Sequence, residues 1–179
     1  MGRARVVPPP GAFLQPTREG EAALLAFVRE ATAGAGRIAD LFAGVGTFAL
    51  PLSETAEIHA VEGDRAMTQA LAAGWREAGG LRRLTAEARD LFRRPLDPDA
   101  LRRFDAVVID PPRAGAEAQI AALAASAVPV VAYVSCNPAS FARDARRLVA
   151  AGYRMGTVTV VDQFRWSPHV ELAARFVRP

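Results

Sequence analysis

Apolar and polar residues alternate along this chain in two periods that follow one another repeatedly. Short β-branched runs at 37–42, 58–61, 104–109 and 128–134 read as strands, the last despite Pro129 near its start, with a weaker one at 84–88. Between them lie stretches with helical spacing. Thr17 is a good N-cap for a helix with Glu19 and Glu21 in its first turn and Ala22, Leu24, Leu25 and Val28 on one face. Asp64 caps a second helix running to about Trp75, and further helices are expected at 116–127 and 138–151, the latter closed by Gly152. Two final strands, 157–161 and 171–177, are joined by a loop. Strands alternating with helices predict an α/β fold: a doubly wound, mostly parallel sheet of the Rossmann-like type, with an antiparallel C-terminal hairpin at one edge. Residues 1–16, with Pro8, Pro9 and Pro10 in a row, read as an N-terminal arm or linker, and 17–179 as one domain.

Composition narrows the class. The 179 residues are 51% hydrophobic and 23% charged, a globular balance for one domain. No apolar stretch approaches the roughly 20 residues that span a bilayer, and the opening Met1-Gly2-Arg3-Ala4-Arg5 lacks the form of a signal peptide, so a cytoplasmic protein is expected. A single cysteine excludes an internal disulfide and a cysteine-only metal cluster, and no metal is expected. The net charge is +3, and every basic side chain other than histidine is arginine. Pairs such as Arg82-Arg83, Arg93-Arg94, Arg102-Arg103 and Arg146-Arg147 fit either solvated helix faces or a phosphate-contacting surface.

Three landmarks follow strands, and parallel strands would bring them to one sheet edge, where open α/β folds bind ligands. The first is Asp40-Leu41-Phe42-Ala43-Gly44-Val45-Gly46-Thr47. Its glycines permit positive φ and close approach to a ligand, and alone it also satisfies a loose dinucleotide fingerprint. Asp40 offers a carboxylate to a cationic amino group, which S-adenosylmethionine has and a pyrophosphate lacks. Glu62, closing the next strand, suits a pair of ribose hydroxyls in either cofactor. The second landmark is Asp110-Pro111-Pro112-Arg113, a rigid turn that aims Asp110 into the cleft. Enzymes that methylate exocyclic amines carry an aromatic residue fourth in such a turn, so Arg113 argues against that target. The third is Val134-Ser135-Cys136-Asn137-Pro138. Asn137 as N-cap and Pro138 at the first helical position put Cys136 at a helix start, where a thiolate is stabilised and its pKa lowered. A lone cysteine is otherwise ordinary packing.

A thiolate beside S-adenosylmethionine has a specific use. Carbon 5 of a pyrimidine becomes nucleophilic once a thiolate adds at carbon 6, and a base must then remove the carbon 5 proton. Glu171, in His169-Val170-Glu171 at the entry to the last strand, is the candidate base, or else an ordinary strand residue.

Taken together, Phe13-x-Gln15, the 40–52 segment, Val61-Glu62, Asp110 to Gly115, Val134 to Asp144, and Asp162 to Glu171 resemble the RNA uracil-5-methyltransferase family, in order and over nearly the whole chain. The resemblance implies Cys136 as nucleophile, Glu171 as base, and Gln15, Gly44, Glu62 and Asp110 lining the cofactor and uracil site, with Asp110 counted among the catalytic residues as a contact to the base and Asp90 a looser candidate for the adenine amine; Asp40 and Gly46 are also expected to bind the cofactor. The implied substrate is an unpaired or flipped-out uridine in ribosomal or transfer RNA. Thr17 stands where the family often has asparagine, and Arg165 where proline commonly follows the phenylalanine. Family members usually carry an N-terminal RNA-binding barrel, so the chain corresponds to the C-terminal catalytic domain. Alternatives are an RNA cytosine-5 enzyme, many of which have a second cysteine in the acidic turn where this chain has none; a cofactor- or RNA-binding fragment inactive without upstream domains; and a nicotinamide-dependent oxidoreductase.

Overall fold

The structure is a computed structural model that describes residues 1–164 and 166–179. Its elements in chain order are α1 (Arg18–Ala31), β1 (Arg37–Leu41), α2 (Ala49–Leu52), β2 (Glu57–Glu62), α3 (Arg65–Ala78), β3 (Leu84–Ala88), α4 (Pro98–Leu101), β4 (Ala106–Ile109), α5 (Glu117–Ala125), β5 (Val130–Ser135), α6 (Pro138–Ala150), β6 (Arg154–Val161) and β7 (Glu171–Val177). The strands form one sheet in the order β3-β2-β1-β4-β5-β7-β6, parallel from β3 to β5 and antiparallel at β7 and β6. The expected doubly wound sheet is present. The C-terminal hairpin differs in one respect: β7 inserts between β5 and β6, leaving the earlier strand β6 at the edge.

The expected caps form. Thr17 Oγ1 accepts from Gly20 N at 3.0 Å, Asp64 Oδ1 from Ala66 N at 2.7 Å, and Asn137 Oδ1 from Ala139 N at 3.0 Å. Helices α1, α2 and α3 cover one sheet face with Leu24, Val28, Leu50 and Leu71 against Ile38, Ile58 and Val108. The other face takes Leu101 of α4, Ile120 and Leu123 of α5, and Phe141 and Leu148 of α6 against Val107, Ile109 and Tyr133. Strand β5 begins at Val130 because Pro129 has no amide for the ladder. The turn α4 is capped by Asp97 with Pro98 at its start, a signal the hydrophobic pattern does not carry.

Strand β1 ends one residue before the expected Phe42, which turns the chain at φ 62°, the one non-glycine residue with positive φ among the described residues. That conformation costs a bulky residue about 1–2 kcal/mol, and it directs the chain into the glycine loop. The arm is packed at its start: Ala4 is buried in the α1–α3 core, and Arg5 O lies where a Cβ on Gly74 would stand. No helix among the described residues is long and apolar enough to cross a membrane.

Gly46 has φ 96°, and a Cβ there would sit 2.9 Å from Leu50 Cγ and Leu71 Cγ. The Gly46→Ala variant is therefore expected to lose about 2–4 kcal/mol from backbone strain and overpacking together. Urea unfolding with an unchanged m value checks this.

Candidate functional site

The carboxyl edge of β1, β4 and β5 and the amino end of the antiparallel β7 coincide, so four adjacent strands deliver four chemical groups to one place. The register that pairs Ser135 with Leu172 sets Cys136 beside Glu171. The pairing of Leu41 with Ile109 sets the glycine loop beside Asp110. A cavity of about 530 Å³ opens there, within the usual range for a small-molecule site. Gln15, Gly44, Glu62, Asp90, Asp110, Cys136 and Glu171 all line it.

Asp40 and Gly46 do not. Asp40 is wholly buried beneath the cavity wall because it sits within β1 rather than after it. Neither of its oxygens has a hydrogen-bond partner; the Ala49 amide lies near enough to favour the charge without completing a bond. Burial, and then the charges of Asp110 and Glu62, push its pKa well above the usual carboxylate range. Gly46 is a packing glycine. Gly44, by contrast, has φ 55° with open space where its Cβ would be.

The loop is tied to Glu62, whose Oε2 accepts from Gly44 N at 2.9 Å while Oε1 accepts from Asp64 N at 2.8 Å. Asp90 turns its own loop by accepting from Phe92 N and Arg93 N at 3.0 and 3.2 Å. Phe42 and Phe92 meet at 5.4 Å between ring centroids and give the same wall an aromatic surface. The Asp110 turn is braced from below. Buried Asp144 accepts from Tyr133 Oη at 2.8 Å and from Ala116 N at 2.9 Å, and Asn137 Nδ2 donates to Arg113 O at 2.8 Å.

Electrostatics at the floor run against ionisation. Burial and the Glu171 charge raise the Asp110 pKa to about 7. Burial raises that of Glu171, although the neighbouring Gln163 carboxamide favours its charged form. Cys136 corrects the expectation of a lowered thiol pKa. The helix start and Arg113 do favour its thiolate, but desolvation and the Glu171 and Asp110 charges outweigh them and raise it.

Gln163 was not singled out from sequence. It is 5% exposed, and its Nε2 donates to Gln15 Oε1 at 2.6 Å, tying the N-terminal arm to the loop before β7. A Cβ on Gly20 would collide with Gln163 Oε1. The one legible signal was a glycine in the first turn of α1, where only a close neighbour demands it.

A glycine loop, an acidic turn and an edge thiol meet at the carboxyl edge of a doubly wound sheet, where such folds bind nucleotide cofactors. The family model described as tRNA (Uracil-5-)-methyltransferase matches residues 7–178, and the chain belongs to that family. An uncharacterised RNA methyltransferase of Rhizobium meliloti is 56% identical over 169 residues, 94% of this chain and 41% of the relative. A 23S rRNA (uracil(1939)-C(5))-methyltransferase of Chromohalobacter salexigens is 44% identical, over 90% of this chain and 34% of that protein. The crystal structure of Pyrococcus abyssi tRNA (uracil-54, C5)-methyltransferase in complex with S-adenosyl-L-homocysteine superposes with a TM-score of 0.81 at 29% identity, covering 94% of this chain and 40% of that one. The chain thus spans about two fifths of the length of such relatives.

An acid whose pKa rises on folding holds its proton more tightly folded than unfolded. Its contribution to stability is full below the ordinary carboxylate range and is lost as pH climbs through about 7. Between pH 5 and 8 the wild type should therefore lose more thermal stability than Asp110→Asn does. Calorimetric Tm values for both proteins across that window check this; parallel curves would refute it.

Proposed function

We propose that this domain transfers a methyl group from S-adenosylmethionine to carbon 5 of an unpaired uridine in ribosomal or transfer RNA. The observation that carries the reading is the register of β5 and β7, which sets a thiol and a carboxylate side by side, with Asp110, in the cavity that the glycine loop opens. The Pyrococcus abyssi neighbour, described with S-adenosyl-L-homocysteine, supports the cofactor. So does the chemistry of the donor set. A floor of carboxylates with raised pKa values calls for a cation, and Gly44 leaves room beside Glu62 and Asp90.

When bound, S-adenosylmethionine supplies an electrophilic methyl group and a positive charge. Gln15, Gly44, Glu62 and Asp90 would hold it, with Asp40 acting from beneath the wall. Cys136 loses its proton to solvent and its Sγ bonds to carbon 6 of the uracil, breaking the C5–C6 π bond and placing that electron pair at carbon 5. Asp110, held by its proline turn, orients the base. After carbon 5 is methylated, Glu171 removes the proton from that carbon. The electron pair left behind re-forms the C5–C6 double bond and expels the Cys136 sulfur. A raised Glu171 pKa makes it a stronger base for this step.

RNA carrying 5-fluorouridine, incubated with protein and S-adenosylmethionine, should give a covalent band on a denaturing gel, since fluorine cannot leave as a proton. The band should vanish in Cys136→Ser. With ordinary uridine, Glu171→Gln should slow turnover by about 10²–10⁴-fold while the methylated adduct accumulates. Turnover retained in Cys136→Ser would overturn the covalent route.

A further inference from the structure

Arg113 stands at the mouth of this cavity with a charge the proposed chemistry does not use. Its backbone is fixed twice, by Pro111 and Pro112 before it and by the Asn137 Nδ2 bond to its carbonyl. Its exposed guanidinium makes no ion pair among the described residues, although four carboxylates line the same cavity. Its neighbour is instead the His169 ring: Nη2 lies 3.0 Å from Nδ1 and 3.1 Å from Nε2. An imidazole offers at most one acceptor, so most of the guanidinium donors are unspent. Glu171 is buried and Asp110 half-buried, whereas the arginine is exposed.

A planar fork of donors on a braced turn, poised above a nucleophile, matches a pair of anionic oxygens. We propose that Arg113 receives a phosphodiester flanking the target uridine of the RNA strand, parting from His169 as the strand enters. The proposal rests on the RNA-uridine reading above and adds the contact that places the strand. A phosphate there would hold the ribose next to the rim while the base reaches inward to Cys136. The other source of such oxygens is the cofactor's carboxylate, and the test separates the two.

Arg113→Ala and Arg113→Lys are compared with wild type for binding of a short single-stranded RNA across a salt series. In Arg113→Ala the RNA dissociation constant should rise roughly 10- to 100-fold, and the slope of log K against log salt should shrink by about 0.7. Arg113→Lys should recover the slope but only part of the affinity. A methylphosphonate at one flank of the target uridine should weaken wild-type binding and leave Arg113→Ala unaffected. S-adenosylhomocysteine binding, by calorimetry, should stay within about twofold of wild type, a change of about 0.4 kcal/mol.

Lost S-adenosylhomocysteine affinity would overturn the proposal in favour of the cofactor carboxylate. Unchanged RNA affinity and salt slope, with a shifted pH profile for Cys136 alkylation, would overturn it by assigning Arg113 to the thiolate alone. Failure of the methyl-transfer reading shows separately. It appears as no 5-fluorouridine adduct in the wild type while RNA binding still depends on Arg113.

Discussion

The fold must accommodate three carboxylates, Asp40, Asp110 and Glu171, near one sheet edge, with no ion pair to any of them among the described residues. Each is buried enough to resist ionisation, and Asp110 is pushed up further by Glu171 and Asp40 by Asp110. Ion pairs such as Arg29 with Glu54 or Arg102 with Asp99 lie at the surface, where they contribute little. Repulsion at the edge must be borne by the two apolar layers, and the fully buried strands β4 and β5 run directly to it. Replacing these acids would relieve the fold. Their presence places strain where a cationic ligand would remove it, the usual trade between stability and a prepared site.

Rigidity around that edge comes from small local devices. Phe42 accepts a left-handed backbone so that Gly44 can present its amide to Glu62. Two prolines and the Asn137 amide hold the Asp110 turn, and Asp144 ties the chain beyond it to Tyr133. Gln15 and Gln163, 148 residues apart, join the first segment of the chain to the last loop beside the cavity. The arm therefore completes the site, and Ala4 shows that it begins within the core.

Much of this was legible in the sequence because local signals and the global fold agree. Thr17, Asp64 and Asn137 cap the helices they precede, and the β-branched runs became the central strands. Gly44, Asp110 and Cys136, just past their strands, and Glu62 and Glu171, at strand ends, reached the cavity, whereas Asp40, one residue inside β1, went beneath it and Gly46 packed against Leu50 and Leu71. The position of β7 was not legible. Two adjacent strands pair in either order by pattern alone, and only burial on both sides of β7, against an exposed β6, fixes the order. The direction of the Cys136 shift was misread for a related reason. A helix start is a local feature, while the two opposing carboxylates arrive from other strands. Gln163 escaped because its meaning lies in a partner near the opposite end of the chain.

The cavity sets a few ionisable groups on a mostly apolar lining: the buried Glu171, the half-buried Asp110 and Cys136, and the exposed Arg113. Charge entering beside the carboxylates acts on their neighbours. A cation there lowers the Asp110 and Glu171 pKa values and, by withdrawing their repulsion, that of Cys136 as well. Linkage makes the effect reciprocal, so an ionised thiol must tighten the binding of that cation by the same factor. The raised thiol pKa favours the protonated form of Cys136 in the empty domain, and under the proposed function the charge of the methyl donor would shift it towards the thiolate. Such an order protects a lone, partly exposed cysteine from oxidation, since the thiolate is the form that oxidises. Under the proposed covalent route it would also tie attack on the base to the presence of a methyl group to transfer. A helix dipole strong enough to hold Cys136 as a thiolate at rest would forfeit both.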